Sequence, residues 1–295
     1  MSRWIPGNWR GLLAVGMFAV GSAVAYLDSA QPISPVAQPT CAAAVPGIRW
    51  LRVSAANERA SLDRWCSGVG APVRIEPTRH EENFSGPLPL VSWNMHVGGG
   101  DLDAFVADLR GGKLTGRPEP DFILLLQEAY RAGEVPSEGS ASWAAAVQPV
   151  LPHRVRSDVT EGARRLGLWA VYIPSMRNGR PGATTEDRGN AILSTRPLAD
   201  VTAIELPLEN QRRIAIAATA TIAGRPIRIV DTHFTNMVAH HLTFHTSRLG
   251  AMVSECQQAK GVAATIHNFL YFLHFRSLAQ LPLESARQPK RLHRG

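Results

Sequence analysis

The chain has 295 residues, 45% hydrophobic and 19% charged, with three cysteines. That is enough apolar material to bury a sizeable core in one large domain or two small ones, and it excludes a disordered, collagen-like or disulfide-dense chain. The formal charge of +7 is not evenly spread: residues 1–233 carry 24 Lys and Arg against 22 Asp and Glu, and residues 234–295 carry 7 against 2. The bulk of the chain is therefore almost neutral, and its overall basicity is no argument for a nucleic-acid partner.

Arg3 and Arg10 precede an uncharged run over residues 11–27, closed by Asp28. A membrane span needs about 20 apolar residues. The basic start, the shorter apolar middle and an Ala-Val-Ala triplet at 23–25 predict an export signal cleaved near Ala25 or Ala30. The alternative is an uncleaved signal-anchor, because the run is long for a signal core; membrane contact follows only from that alternative. Export places the protein in a periplasm, outside the cell, or on the outer face of a membrane. Cys41 follows Gln-Pro-Thr, which is not the small-residue pattern that precedes a lipidated cysteine.

Residues 28–46 are rich in proline and alanine and predict an extended linker. A small N-terminal segment follows over 47–87, with a short helix predicted over 57–65. Disulfides persist outside the cytoplasm, and a Cys41–Cys66 bridge around that helix would contribute ~3 kcal/mol in the chain-entropy model. Two free buried thiols, or a metal pair lacking a third ligand, are the alternatives. Cys256 is then the unpaired cysteine.

From residue 88 onward strands and helices alternate. Pro-Leu-Val-Ser-Trp-Asn-Met at 89–95 reads as a strand. Asp101 is a good N-cap for a helix with Leu102, Phe105, Val106 and Leu109 on one face, stopped at Gly111. Residues 121–127 predict a buried strand that delivers Gln127 and Glu128, and residues 141–151 a second helix. Further strands are predicted over 167–173, 190–194, 214–222 and 227–232, the last two joined by an Ala-Gly-Arg-Pro hairpin turn. The implied class is α/β, with helices covering a mixed sheet.

Three of these strand ends carry polar residues that a core does not need: Asn94, the pair Gln127-Glu128, and His233. Taken singly, each has a plain explanation, as a turn residue, a solvated acid and a packed imidazole. Together they suit a hard cation such as Mg²⁺, which keeps several waters and accepts few protein oxygens. A nearby histidine can exchange a proton or stabilise charge on a phosphate. That is the equipment for metal-assisted phosphodiester cleavage.

Val-Ser-Trp-Asn-Met-His (91–96), Leu-Leu-Gln-Glu (125–128), Arg-Gly-Asn-Ala-Ile-Leu-Ser (188–194) and Val-Asp-Thr-His-Phe (230–234) stand in order along the chain. In that order and rough spacing they resemble the endonuclease/exonuclease/phosphatase superfamily, which includes deoxyribonuclease I-like nucleases, sphingomyelinases and inositol polyphosphate phosphatases. The resemblance covers residues 88–236. It implies a four-layer sandwich of two mixed β-sheets flanked by helices, and hydrolysis of a phosphate ester with Mg²⁺ or Mn²⁺. By the same resemblance Glu128 is the metal-binding glutamate and Asn94 the asparagine that supports the metal and phosphate. His233 is the histidine at the scissile phosphate, and Asn190 a residue on the substrate side. Nucleic acid, phospholipid and small esters all remain open as substrates.

The last third departs from the family. It lacks the Asp-x-Asn and terminal Ser-Asp-His motifs in any form, since no aspartate follows Asp231. Six of the ten histidines lie beyond position 234. Residues 267–275 are rich in aromatics, and 280–295 form a basic tail of disordered composition. The expectation is a reading frame altered between about positions 240 and 261, with an atypical segment over 237–295 and a sandwich incomplete at its C-terminus. The competing expectations are an inactive or non-enzymatic binding remnant and a divergent tail with substitute ligands. For the latter, His241 and His245 have helical spacing beside His240, but no carboxylate sits among them.

Overall fold

The computed structural model describes residues 45–52, 56–78, 88–133, 156–178, 186–208 and 211–233, together with the backbone of two strands, Ser34–Pro35 and Val262–His267. In chain order the elements are β1 (Ser34–Pro35), β2 (Ile48–Arg52), α1 (Ala56–Cys66), β3 (Val73–Ile75), β4 (Leu90–Asn94), α2 (Leu102–Arg110) and β5 (Ile123–Ala132). They continue with α3 (Val159–Leu166), β6 (Trp169–Arg177), β7 (Glu186–Ser194), β8 (Ala199–Glu205), β9 (Ile214–Ile222), β10 (Arg225–His233) and β11 (Val262–His267).

The helices begin and end where their capping residues allow. Asp101 accepts from the Ala104 N–H to open α2, as its spacing predicts, and Asp158 accepts from the Thr160 and Glu161 N–H groups to open α3. Gly167 closes α3 in the left-handed conformation, which glycine adopts without steric cost. Ala223 and Gly224 both take positive φ between β9 and β10, giving a two-residue turn whose twist matches the strands. Arg225 and Pro226 therefore belong to β10 and not to the turn.

Two mixed sheets result. One has the order β1-β2-β8-β9-β10-β11 and the other β3-β6-β7-β5-β4. Alternation along each strand sends one set of side chains between the sheets. Ile123 and Leu125 of β5, Ile192 of β7, Ile214 and Ile216 of β9 and Ile229 of β10 form this inner core. The intervening residues Leu124 and Leu126 face the other way and pack with Leu102, Val106, Leu109, Val159 and Ala163 of α2 and α3. A third buried strip, including Ile204, Ala217 and Val230, lies on the outer face of the six-stranded sheet. This is the sandwich of two mixed sheets with flanking helices that the resemblance implies.

The residues before position 88 are built into the sandwich. β2 runs parallel to β8 inside one sheet, and β3 is the antiparallel edge of the other. Two buried networks hold them. Arg52 donates to Glu205 and to Asp63 of α1, both at 2.6 Å, and Glu205 also accepts from Arg212 at 2.6 Å. Asp187 of β7 accepts from Arg131 at 2.6 Å, from the Tyr172 hydroxyl at 2.7 Å and from the Gly70 N–H at 2.8 Å. Arg131 also donates to the Ala71 carbonyl and stacks over the Tyr172 ring.

Several expectations fall outside the described residues: the apolar run over 11–27, the linker apart from β1 and residues 45–46, the helix over 141–151, the histidines at 240, 241 and 245, and the basic tail. No helix among the described residues is long and apolar enough to cross a membrane. Helix α3 and strands β1, β2, β3, β8 and β11 go beyond the predicted elements.

The Asp187 network predicts a sharp contrast in stability. Arg131→Met leaves a fully buried carboxylate short of its ionic partner and is expected to cost roughly 3–5 kcal/mol, read as a fall in the urea midpoint. Arg165→Met removes only the exposed pair with Asp103 and should leave that midpoint almost unmoved.

Candidate functional site

Glu128, Ser175, Arg188, Gly189, Asn190, Arg213, Ile214 and His233, drawn from strands of both sheets, line one cleft; β5 does not end at Glu128, where the sequence predicts its end, but continues to Ala132. Their convergence depends on irregularities in the strands. Pairing between β5 and β7 shifts register between Leu126 and Ala129, and Glu128 takes φ +51 there. In a regular strand Gln127 and Glu128 would face opposite sides. The bulge inserts a residue and re-aims the chain, so Gln127 points between the sheets while Glu128 reaches the cleft and Ala129 returns to the helix side. A glutamate in the left-handed region is uncommon, and such strain is found where the surrounding structure holds a residue for function.

A second register shift, between Pro174 and Met176 of β6, lies on the other side of β7. Gly189 sits at this point, where a β-carbon would lie 2.0 Å from the Ile173 carbonyl oxygen. Only glycine lets the two backbones approach so closely beside the cleft.

The Glu128 carboxylate stands 3.8 Å from His233 Nε2 and 4.0 Å from Arg188 Nη1. Its Oε2 is buried and has no hydrogen-bond partner among the described residues. On the other side of the imidazole, Arg213 Nη1 lies 3.1 Å from His233 Nδ1. Burial holds the Arg188 guanidinium below its ordinary pKa, and the neighbouring Glu128 charge acts against that shift. The cleft therefore gathers one carboxylate, two guanidinium groups and an imidazole out of bulk water.

Of the residues singled out from the sequence, Glu128, Asn190 and His233 come together in the cleft. The Asn190 side-chain amide donates to the Ile214 carbonyl at 2.7 Å and so ties β7 to β9 across the sheets. Asn94 ends β4 in register with Gln127 and is not among the cleft-lining residues. Its Oδ1 accepts from the His96 N–H at 2.8 Å, which turns the loop through three successive positive-φ residues, His96, Val97 and Gly98. That loop is hydrogen-bonded to the strand bearing the glutamate: Met95 N–H to the Gln127 carbonyl, and Gly98 N–H to the Glu128 carbonyl. Cys66 is buried on α1, and Cys41 lies outside the described residues.

Arg188, Arg213 and Ser175 were not anticipated as site residues. Arg188 opens the Arg-Gly-Asn motif, so its position was visible without its role. Arg213 is one of two consecutive arginines, and nothing in the sequence says which faces a cleft.

Beneath the cleft, Gln127 Nε2 donates to Asp231 Oδ1 at 2.6 Å. Asp231 is completely buried, and burial raises its carboxyl well above the ordinary value of 3.8, against the lowering effect of the hydrogen bonds from Gln127 and the Thr232 backbone.

Among solved structures, an endonuclease/exonuclease/phosphatase from Beutenbergia cavernae is 17% identical over 52% of this chain and 39% of that one, with a TM-score of 0.34. A family protein of the same description from Leptotrichia buccalis is 9% identical over 59% and 64%, at 0.34. The human Nocturnin catalytic domain, solved with a bound sulfate, is 18% identical over 66% and 66%, at 0.38. The chain thus spans between 39% and 66% of the length of these structures. No family model and no curated protein matches the sequence.

The buried acid predicts a pH dependence. Folded protein retains a proton on Asp231 that the unfolded chain releases above about pH 4. Its stabilising contribution is therefore complete below that pH and declines as pH rises toward the raised folded-state value. Asp231→Asn cannot titrate, so its unfolding free energy should fall less between pH 4 and pH 8 than that of the parent, as measured by urea titration across that range.

Proposed function

We propose that the protein is an exported, metal-dependent phosphoric-ester hydrolase of the endonuclease/exonuclease/phosphatase type, with the cleft between the sheets as its active site. One observation carries this reading: a strained bulge turns Glu128 toward His233, with a buried oxygen that has no hydrogen-bond partner among the described residues, between two arginines. Buried carboxylate oxygens are usually partnered, and what sets this one apart from those of Glu186 and Asp231 is that its carboxylate lines the cleft beside an imidazole and two guanidinium groups.

The residues fit a hard divalent cation that keeps most of its water. Glu128 would hold Mg²⁺ or Mn²⁺, and one carboxylate is a sufficient anchor for such an ion. When bound, the cation polarises a phosphoryl oxygen. The chain's own groups supply the rest. Arg188 and Arg213 offset the negative charge of a phosphate in a poorly solvated place, where such contacts are strongest. His233 stands beside both Arg213 and Glu128 and lines the same cleft, where it could donate to or stabilise charge on a phosphate. Asn94 supports the site by folding the loop that is hydrogen-bonded to the Glu128 backbone, and Asn190 ties the cleft floor together. Export belongs to the same reading, as does the Cys41–Cys66 bridge: Cys66 is buried and disulfide-bonded. The substrate is a phosphate ester, whether nucleic acid, phospholipid or small molecule.

A second reading, a binding remnant without turnover, is favoured by the absence of any aspartate after Asp231. Among the described residues no group of three His, Cys, Asp or Glu could hold a metal.

The deciding assay is hydrolysis of a chromogenic phosphodiester by the full chain with Mg²⁺. Glu128→Gln and chelator should each bring turnover to background, and His233→Ala should lower it roughly 10²–10⁴-fold. Turnover indifferent to both Glu128→Gln and chelator overturns the reading. Folded protein that binds no Mg²⁺ and cleaves nothing establishes the second.

A further inference from the structure

We infer that Arg213 is a positioning residue that locks His233 into the tautomer protonated on Nε2, so that the imidazole meets the cleft as a hydrogen-bond donor. Arg213 Nη1 lies 3.1 Å from His233 Nδ1, and both residues are buried. A guanidinium carries five N–H donors, has no acceptor and stays protonated throughout the accessible pH range. The nitrogen that faces it must therefore offer a lone pair. In a neutral imidazole the single proton then sits on Nε2, the nitrogen directed toward Glu128 Oε1 at 3.8 Å. A carboxylate facing Nδ1 would do the reverse, drawing the proton to Nδ1 and leaving Nε2 as the lone-pair base.

The direction from which Arg213 reaches is itself fixed. Its Nη2 donates to Gln211 Oε1 at 2.9 Å. The preceding residue, Arg212, is clamped by Glu205 at 2.6 Å and donates to the Pro174 and Ser175 carbonyls at 3.1 and 3.3 Å. The guanidinium of Arg213 thus extends from a backbone pinned to both sheets, where it cannot easily swing away from Nδ1.

The inference deepens the phosphate-ester reading of the same cleft. With its proton on Nε2, His233 can donate to a phosphoryl or ester oxygen. It cannot use Nε2 to take a proton from an attacking water, so water activation falls to another group.

The test reads the ring directly. In the full chain labelled with ¹⁵N-histidine, two-bond ¹H–¹⁵N correlations at neutral pH distinguish a pyridine-type from a pyrrole-type nitrogen, and His233→Asn identifies the signal by its loss. His233 should show a pyridine-type Nδ1 and a pyrrole-type Nε2. Arg213→Glu should reverse that pattern, Arg213→Gln should give a mixture, and Arg213→Lys, which retains a donor, should keep it. Unchanged signals from the nine other histidines report an intact fold; if Arg213→Glu does not fold, the Gln and Lys variants decide. A wild-type ring protonated on Nδ1, or one unmoved by Arg213→Gln, overturns the inference. Neither metal nor substrate is present, so failure of the hydrolysis assay and failure of the tautomer are separate results.

Discussion

The bulge in β5 is the constraint on which the site depends. Strand geometry sends successive side chains to opposite faces, and a regular β5 would bury Gln127 between the sheets and direct Glu128 toward the helices. The register shift after Leu126 changes that arrangement. Glu128 accepts a left-handed backbone, and in exchange a carboxylate reaches the cleft. Hydrogen bonds from Met95 and Gly98 to the carbonyls of Gln127 and Glu128 hold the distorted strand in place. The loop shaped by Asn94 is therefore part of the support for Glu128, although Asn94 does not line the cleft.

The same economy of position governs the cations. Arg52, Arg131 and Arg212 are buried, each against a carboxylate that accepts from at least one further donor. Isolated buried charges would be costly, and removing one partner is more disruptive than the intact pair is stabilising. These networks join segment 47–78 to the sandwich and fix the backbone from which the cleft residues extend. Arg212 and Arg213 illustrate the division: adjacent in sequence, one clamps the two sheets and the other meets the histidine.

Much of the fold was legible because its signals are local. The cap at Asp101, the apolar run from Phe122 to Leu126 and the turn at Ala223-Gly224 each state a period or a backbone preference in a few residues. What escaped was short or non-local. β2 and β3 are five and three residues long, too brief to show a period, and exist as strands because β8 and β6 lie beside them. Helix α3 has sound caps at Asp158 and Gly167, but its eight residues offer only a narrow apolar face.

The sequence by itself determined that apolar strands and amphipathic helices would pack as an α/β fold with helices covering a mixed sheet, and that Asn94 and His233 would end strands. It did so because hydrophobic period and strand termination are properties of neighbouring residues. Glu128, expected at a strand end, lies inside β5, which continues through the bulge to Ala132. Only the tertiary structure decided which of those residues meet. It brought Arg188 and Arg213 to the cleft, turned Asn94 to the loop and Asn190 to the cleft floor, and set Asp231 against Gln127 in the dry layer beneath. Those outcomes depend on register shifts and on contacts between strands, one of them, Gln127 to Asp231, across more than a hundred residues, where the partner is chosen by packing.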